Sequence, residues 1–183
     1  ELRKLEPQKL FEAWQSKKSE DPKYAMAASP CIDGRFLTSS TSEIVNSGNQ
    51  KNIPYMMGST SHDIVPPFVF TMAKDWCKTQ ASQDKQDSYC WFFDRMLPGD
   101  DNGAWHSSDL WYWFGTLKNC WRPFTKHDEM LSDKMTDYLC NFSKTGNPNG
   151  DGVMKWLPTN DKQENVLCWG ENDIRMDDVD MED

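Results

Sequence analysis

Two short apolar runs, residues 53–57 (IPYMM) and 88–93 (SYCWFF), stand on either side of a stretch that opens on Pro66-Pro67 and spaces Phe68, Met72 and Trp76 at i, i+4 and i+8. Both runs are short, bounded by turn formers and built from aromatic or long apolar side chains, which predicts buried strands. The stretch between them has the helical period, and its proline pair suits a helix start. Strand, helix and strand at these lengths make a βαβ unit, whose two strands run parallel. Parallel strands deliver the loops at their C-terminal ends to one edge of the sheet, the edge where open α/β sheets build their sites. Here the first loop is "GSTSHD", ending in Asp63, and the second follows the breaker "LPGDDNG" and carries His106.

The remaining segments supply helices and a hairpin. Residues 5–16 read as a helix with Pro7 in its first turn and Leu10, Phe11 and Trp14 on one apolar face. The polar linker "SKKSEDPK" leads to "YAMAASPCIDGRFL", where Asp33-Gly34 favours a tight turn between extended pieces. Thr125, with Asp128 three residues later, caps a helix whose buried stripe is Leu131, Met135, Tyr138, Leu139 and Phe142 and whose stop is Gly146. The segment "ENVLCWGENDIRMDD" reads as two short strands around a Gly-Glu-Asn-Asp turn.

Charge narrows the partners. Twenty basic against twenty-nine acidic residues give a net charge of -9, which repels nucleic acid and anionic membrane, so neither is an expected partner. No run approaches the about 18 apolar residues of a membrane helix. The acidic end "ENDIRMDDVDMED" reads as a solvated tail. Six cysteines form no CxxC pair and show no zinc-like spacing with histidine. They lie in apolar segments such as "YCWFF" and "YLCNF", which reads as mostly reduced core thiols and a cytoplasmic address, with a secreted, disulfide-bonded protein as the alternative. The chain opens on Glu1 with no signal-peptide pattern, and is expected to begin inside a longer protein.

A hydrolytic triad needs a base that takes the nucleophile's proton and a carboxylate that fixes the base's tautomer, and in α/β-hydrolases the chain order is Ser, then Asp or Glu, then His. Asp63 and His106 fit the last two places. No G-x-S-x-G occurs: "GSTSH" lacks the final glycine and "GAWHS" has no central serine. Each candidate has a plainer reading. His106 beside "SSDLWYWF" is also a packed histidine with one bonded ring nitrogen. His62 reads as a solvated loop histidine, His127 as an exposed first-turn residue, and Arg122 as a structural donor. "LWYWF" puts aromatics all round a helix, which favours packing over a pocket. Asp33 is the rival acid, although its Asp-Gly turn points to a structural role.

Four motifs in the correct order resemble those of the type-B carboxylesterases, the cholinesterase-like branch of the α/β-hydrolase fold, and particularly its bacterial para-nitrobenzyl-esterase-like members. "SPCIDGRFL" is similar to P-x-x-D-G-x-x-L, and "IPYMMGSTSHD" to V-P-x-x-x-G-x-x-x-D-E-G. "GAWHSSDLWYWFGTL" is similar to G-A-x-H-x-x-E-L-x-Y-x-F-G. "NFSKTGNPNG" followed by Trp156-Leu157-Pro158 is similar to N-F-A-K-T-G-D-P-N-G and W-P. The resemblance implies an α/β chain: residues 1–183 as the C-terminal part of a single α/β-hydrolase domain, with an incomplete, mostly parallel sheet and flanking helices. It makes His106 the catalytic base and sets Asp63 where the family's acid, usually Glu, is found. No metal or organic cofactor is implied. The nucleophile elbow and oxyanion loop belong to the family's N-terminal part, so the expected function is the C-terminal portion of a serine-dependent carboxylic ester hydrolase, inactive alone. Its expected partners are the N-terminal half of the same protein and a small-molecule ester, with self-association through an exposed sheet edge. The alternative is a non-catalytic cholinesterase-like interaction module.

Overall fold

The computed structural model describes residues 2–21, 24 and 30–181, and the chain divides into two compact units, Glu1–Asn49 and Gln50–Asp183. In the first unit, helix α1 (Pro7–Glu20) begins on Pro7 as expected and runs four residues further than the apolar spacing predicts. It buries none of its residues, and Phe11 packs on Trp14 with ring centroids 5.7 Å apart. A short helix α2 (Thr41–Asn46) follows, set by a capping box between Ser40 and Glu43. The Asp33-Gly34 turn is present: Gly34 has φ +72°, and Asp33 Oδ1 accepts from the amides of Arg35, Phe36 and Leu37. Residues 30–32 before it and 35–40 after it form no strand, and residues 25–29 of the expected extended piece lie outside the described residues.

The second unit is built on a four-stranded sheet in the order β1 (Tyr55–Thr60), β2 (Ser88–Phe93), β3 (Val166–Trp169), β4 (Ile174–Asp177). β1, β2 and β3 are mutually parallel, and β4 returns antiparallel as the predicted hairpin, closed by the Gly170 amide on the Asp173 carbonyl. β2 matches the predicted run residue for residue. Its alternate residues feed two cores, Tyr89 and Phe93 on one face and Cys90 and Phe92 on the other. The first face is covered by α5 (Lys126–Thr145) and the short α4 (Leu110–Trp113); the second is covered by α3 (Pro66–Ser82).

β1 departs from expectation. The predicted strand over 53–57 starts at Tyr55, runs through Gly58 to Thr60, and lies half-buried at the sheet edge, because β2 is its one neighbour in this sheet. Gly58 is a strand residue rather than a stop, since it lies opposite Trp91, and a Cβ there would sit 1.9 Å from the Trp91 carbonyl oxygen. Gly58→Ala is therefore expected to force β1 off β2 and to cost about 1–3 kcal/mol or more of unfolding free energy. A urea midpoint equal to that of the parent chain would show that the strands separate without cost.

α3 starts on the proline pair, but the stripe it buries is Phe70, Ala73, Cys77 and Gln80, not Phe68 and Met72, which are 62% and 55% exposed. α5 holds to prediction at both ends, with the Thr125/Asp128 capping box and Gly146 left-handed at φ 76°. Three cysteines are buried together (Cys77, Cys90, Cys168), whereas Cys31 and Cys140 are exposed, so the core-thiol reading holds for half of them. The acidic end is not wholly solvated. Lys74, nearly buried, draws Asp178 to 2.9 Å and donates to the Val179 carbonyl, while Val179 and Met181 pack on the cysteine core. A cationic head with so little water needs anionic partners, and the tail supplies one.

Candidate active site

The parallel register does not stop at the strand ends. The Ser61 amide donates to the Phe93 carbonyl, the His62 amide donates to the Ala104 carbonyl at 3.0 Å, and His62 bridges Trp105 in the parallel sense. The two loops are thus stitched together immediately past the strands. Gly103, at φ +67°, lies under the His62 ring with room for no side chain: a Cβ there would meet His62 Nδ1 at 2.9 Å. The chain then turns sharply. Ser107 takes a left-handed backbone (φ 70°) unusual for a residue other than glycine, and the Ser108 amide closes on the Trp105 carbonyl. This turn projects His106.

Asp63 and His106 meet as the βαβ order predicts. His106 Nδ1 lies 2.7 Å from Asp63 Oδ1. The carboxylate is an acceptor, so the contact places the proton on Nδ1 and leaves the Nε2 lone pair as the basic position of a neutral ring. Asp63 is itself held: Oδ1 accepts from the Ile64 amide at 2.7 Å, and Thr60 Oγ1 reaches Oδ2 at 3.4 Å. Burial pushes its pKa up, but the Ile64 amide and the His106 ring together outweigh that and hold it below the usual carboxylate range. The side chains are unequally wet, His106 57% exposed and Asp63 only 9%. A fixed, nearly buried anion thus orients an open imidazole.

The other candidates make different contacts. His62 is exposed and its Nδ1 is 2.9 Å from Ser61 Oγ. His127 is half-buried rather than exposed, with Nε2 3.4 Å from the Gly170 carbonyl. Arg122 is the structural donor expected, bonding the Pro98 carbonyl and Asp100. Asp33 spends its oxygen on backbone amides of its own turn. In "LWYWF", Tyr112 and Trp113 are buried, while Leu110 and Phe114 are exposed. One residue escaped the sequence reading: Asp109, three positions after His106, is a buried carboxyl bonded by Trp113 Nε1 at 2.9 Å. The sole hint was its place in the H-x-x-E of the quoted motif. Among the described residues, no group of three or more His, Cys, Asp and Glu is placed to hold a metal ion, and no helix is long and apolar enough to cross a membrane.

The sequence profile of the carboxylesterase family matches residues 76–182, which is more than half of the chain and includes His106. The chain belongs to the carboxylesterase family. An 89-residue stretch is 33% identical to carboxylesterase 4A of Bos taurus, covering 43% of this chain and 15% of that protein. A 44-residue stretch is 48% identical to the cocaine esterase of Homo sapiens, covering 24% of this chain and 8% of that protein. Among solved structures, an esterase from Clostridium hathewayi that hydrolyses aliphatic aromatic polyesters superimposes on 59% of this carboxylesterase-family chain and 22% of its own, with TM-score 0.52 and 21% identity. A thermophilic PNB esterase superimposes on 60% of this chain and 23% of its own, with TM-score 0.52 and 21% identity. At that identity the likeness is one of fold, and the fold is the α/β arrangement of these esterases. The chain spans under a quarter of the length of the relatives it matches.

Proposed function

We propose that this chain supplies the acid Asp63 and the base His106 of a serine-dependent carboxylic ester hydrolase whose nucleophile and oxyanion hole lie on a segment outside these 183 residues. The 2.7 Å contact between His106 Nδ1 and Asp63 Oδ1, in the chain order and at the sheet edge that an α/β-hydrolase requires, carries the reading. In this mechanism a serine hydroxyl supplied by the upstream segment attacks the ester carbonyl. Its proton passes to His106 Nε2, and Asp63 stabilises the imidazolium without being protonated itself. His106 then returns that proton to the departing alcohol, and a water molecule repeats the cycle on the acyl-serine. The unpaired edge of β1 is the face where the upstream segment adds to the sheet.

The reading makes the chain inert by itself, because a base and an acid without elbow serine or oxyanion donors retain little catalysis. The purified chain is expected to hydrolyse para-nitrophenyl butyrate no faster than buffer. Joining it to an upstream segment carrying G-x-S-x-G should restore saturable turnover. Saturable hydrolysis by the chain alone, abolished by a serine-directed phosphonate, would place a nucleophile within these 183 residues and overturn the assignment. Failure of the joined protein to react with that phosphonate would favour a binding module instead.

A further inference from the structure

We propose that Asp109 is a positioning residue for His106, a buried carboxyl that anchors the His106 turn to Trp113 and leaves Asp63 as the carboxylate that bonds the imidazole. The inference rests on the reading of His106 as a base, and it begins from the turn itself. Between Trp105 and Leu110 the backbone closes two successive tight turns, Ser108 N on Trp105 O and Leu110 N on Ser107 O, around the left-handed Ser107. A left-handed serine is held only where its surroundings over-determine it. What holds it is Asp109: the residue is 5% exposed, Oδ2 accepts from Trp113 Nε1 at 2.9 Å, and its carbonyl receives the amides of Tyr112 and Trp113 at the start of α4. Trp113 is fixed in turn, packed edge-on against Trp91 of β2 and Trp169 of β3. The anchor therefore runs from the sheet, through one indole N–H, to the residue three places after His106.

A buried carboxyl in this position has reason to stay uncharged. Its side-chain donor is the neutral Trp113 indole, and of the charged groups nearby Asp63 disfavours its ionisation while His106 favours it. Burial, together with the Asp63 charge, pushes it above the usual carboxylate range. Were it ionised, a second negative charge would act on His106 beside that of Asp63, whose Oδ1 makes the orienting contact. An uncharged Asp109 still accepts from Trp113 and offers the ring no rival.

The test is by NMR on the 183-residue chain, which has three histidines and so a readily assigned His106. The reporter is the low-field Nδ1–H proton of the His106–Asp63 hydrogen bond, identified by its loss in Asp63→Asn. Asp109→Asn, an uncharged isostere with an oxygen for Trp113, is expected to keep that resonance. Asp109→Ala and Trp113→Phe are expected to lose it to exchange. The Asp109 side-chain carbon should titrate above the ordinary Asp value of about 3.9. Loss of the reporter in folded Asp109→Asn, or its survival in folded Asp109→Ala, would overturn the proposal, as would an Asp109 that titrates at or below the ordinary value. None of these readouts requires turnover, so they stand or fall separately from the hydrolase assignment, which the joined protein tests.

Discussion

Under the proposed function, in a protein that joins this chain to a segment carrying G-x-S-x-G, His106→Ala is expected to lower kcat for a short-chain ester on the order of 10⁴ to 10⁶-fold, with little change in KM or melting temperature. The small structural cost follows from exposure: the His106 ring is more than half in water, so its removal leaves no cavity. The large kinetic cost follows from its position as the one base bonded to Asp63. Asp63→Asn should cost on the order of 10⁴-fold. The Ile64 amide and His106 Nδ1 both meet Oδ1, so an asparagine that keeps its oxygen there holds both as a neutral, weaker acceptor, and one that turns its amide nitrogen there loses both. The lost charge also removes the stabilisation of the imidazolium. Because the Asp63 carboxyl is held below the usual range, it stays ionised through mild acid and does not set the acid limit of the rate profile. An Asp63→Asn protein with parental kcat, beside an inactive Asp33→Asn protein, would move the acid role to Asp33.

What was legible in the sequence, and what was not, divides along physical lines. β2 could be read to the residue because both of its faces are buried, so every position from Ser88 to Phe93 carries the signal. α5 could be read because its ends are chemical, a Thr and Asp box at one end and a left-handed glycine at the other. α3 was right in period and wrong in phase. It carries apolar side chains on two faces, and Phe68 and Met72 repeat as helically as Phe70, Ala73 and Cys77 do, so periodicity alone cannot say which stripe meets the sheet. Gly58 was read as punctuation because a close approach between backbones leaves no mark except the glycine itself. The Asp63–His106 contact was legible because a topological rule brings the two loops together whatever the intervening sequence. Asp109 was not, since an i, i+4 bond to Trp113 is hidden among aromatics that read as packing.

Asp128 shows the same divide, and it carries the largest expected effect on stability. Its capping role was evident from Thr125, yet the fully buried carboxylate also takes Arg95 at 2.8 Å and 3.2 Å and the Tyr112 hydroxyl at 2.7 Å. Arg95 reaches on to Glu171 in the β3–β4 turn. One side chain therefore joins the exit of β2, the helix after His106, the start of α5 and the hairpin. Asp128→Ala removes the cap and leaves Arg95, whose side chain is 8% exposed, without its inner partner. Breaking a buried pair in this way costs about 3–5 kcal/mol, against total stabilities of about 5–15 kcal/mol for folded domains. At about 2–4 °C per kcal/mol for chains of this size, the melting temperature should fall on the order of 10 °C. Asp128→Asn, whose one oxygen keeps an acceptor either for Tyr112 at the Oδ1 position or for the Thr125 amide at the Oδ2 position, should fall less. Acid should mimic the loss: burial opposes the charge, but Arg95 and Tyr112 hold the folded carboxyl well below the ordinary range. Its stabilisation is therefore complete above the unfolded value of about 3.9 and lost as pH falls below it. Circular dichroism melts of the parent chain and Asp128→Ala at pH 7 and near pH 3 give the check, and the gap between them should narrow in acid. Equal melting temperatures at pH 7 would mean that Arg95 finds water or Glu171 sufficient, and that the buried pair does not hold these four elements together.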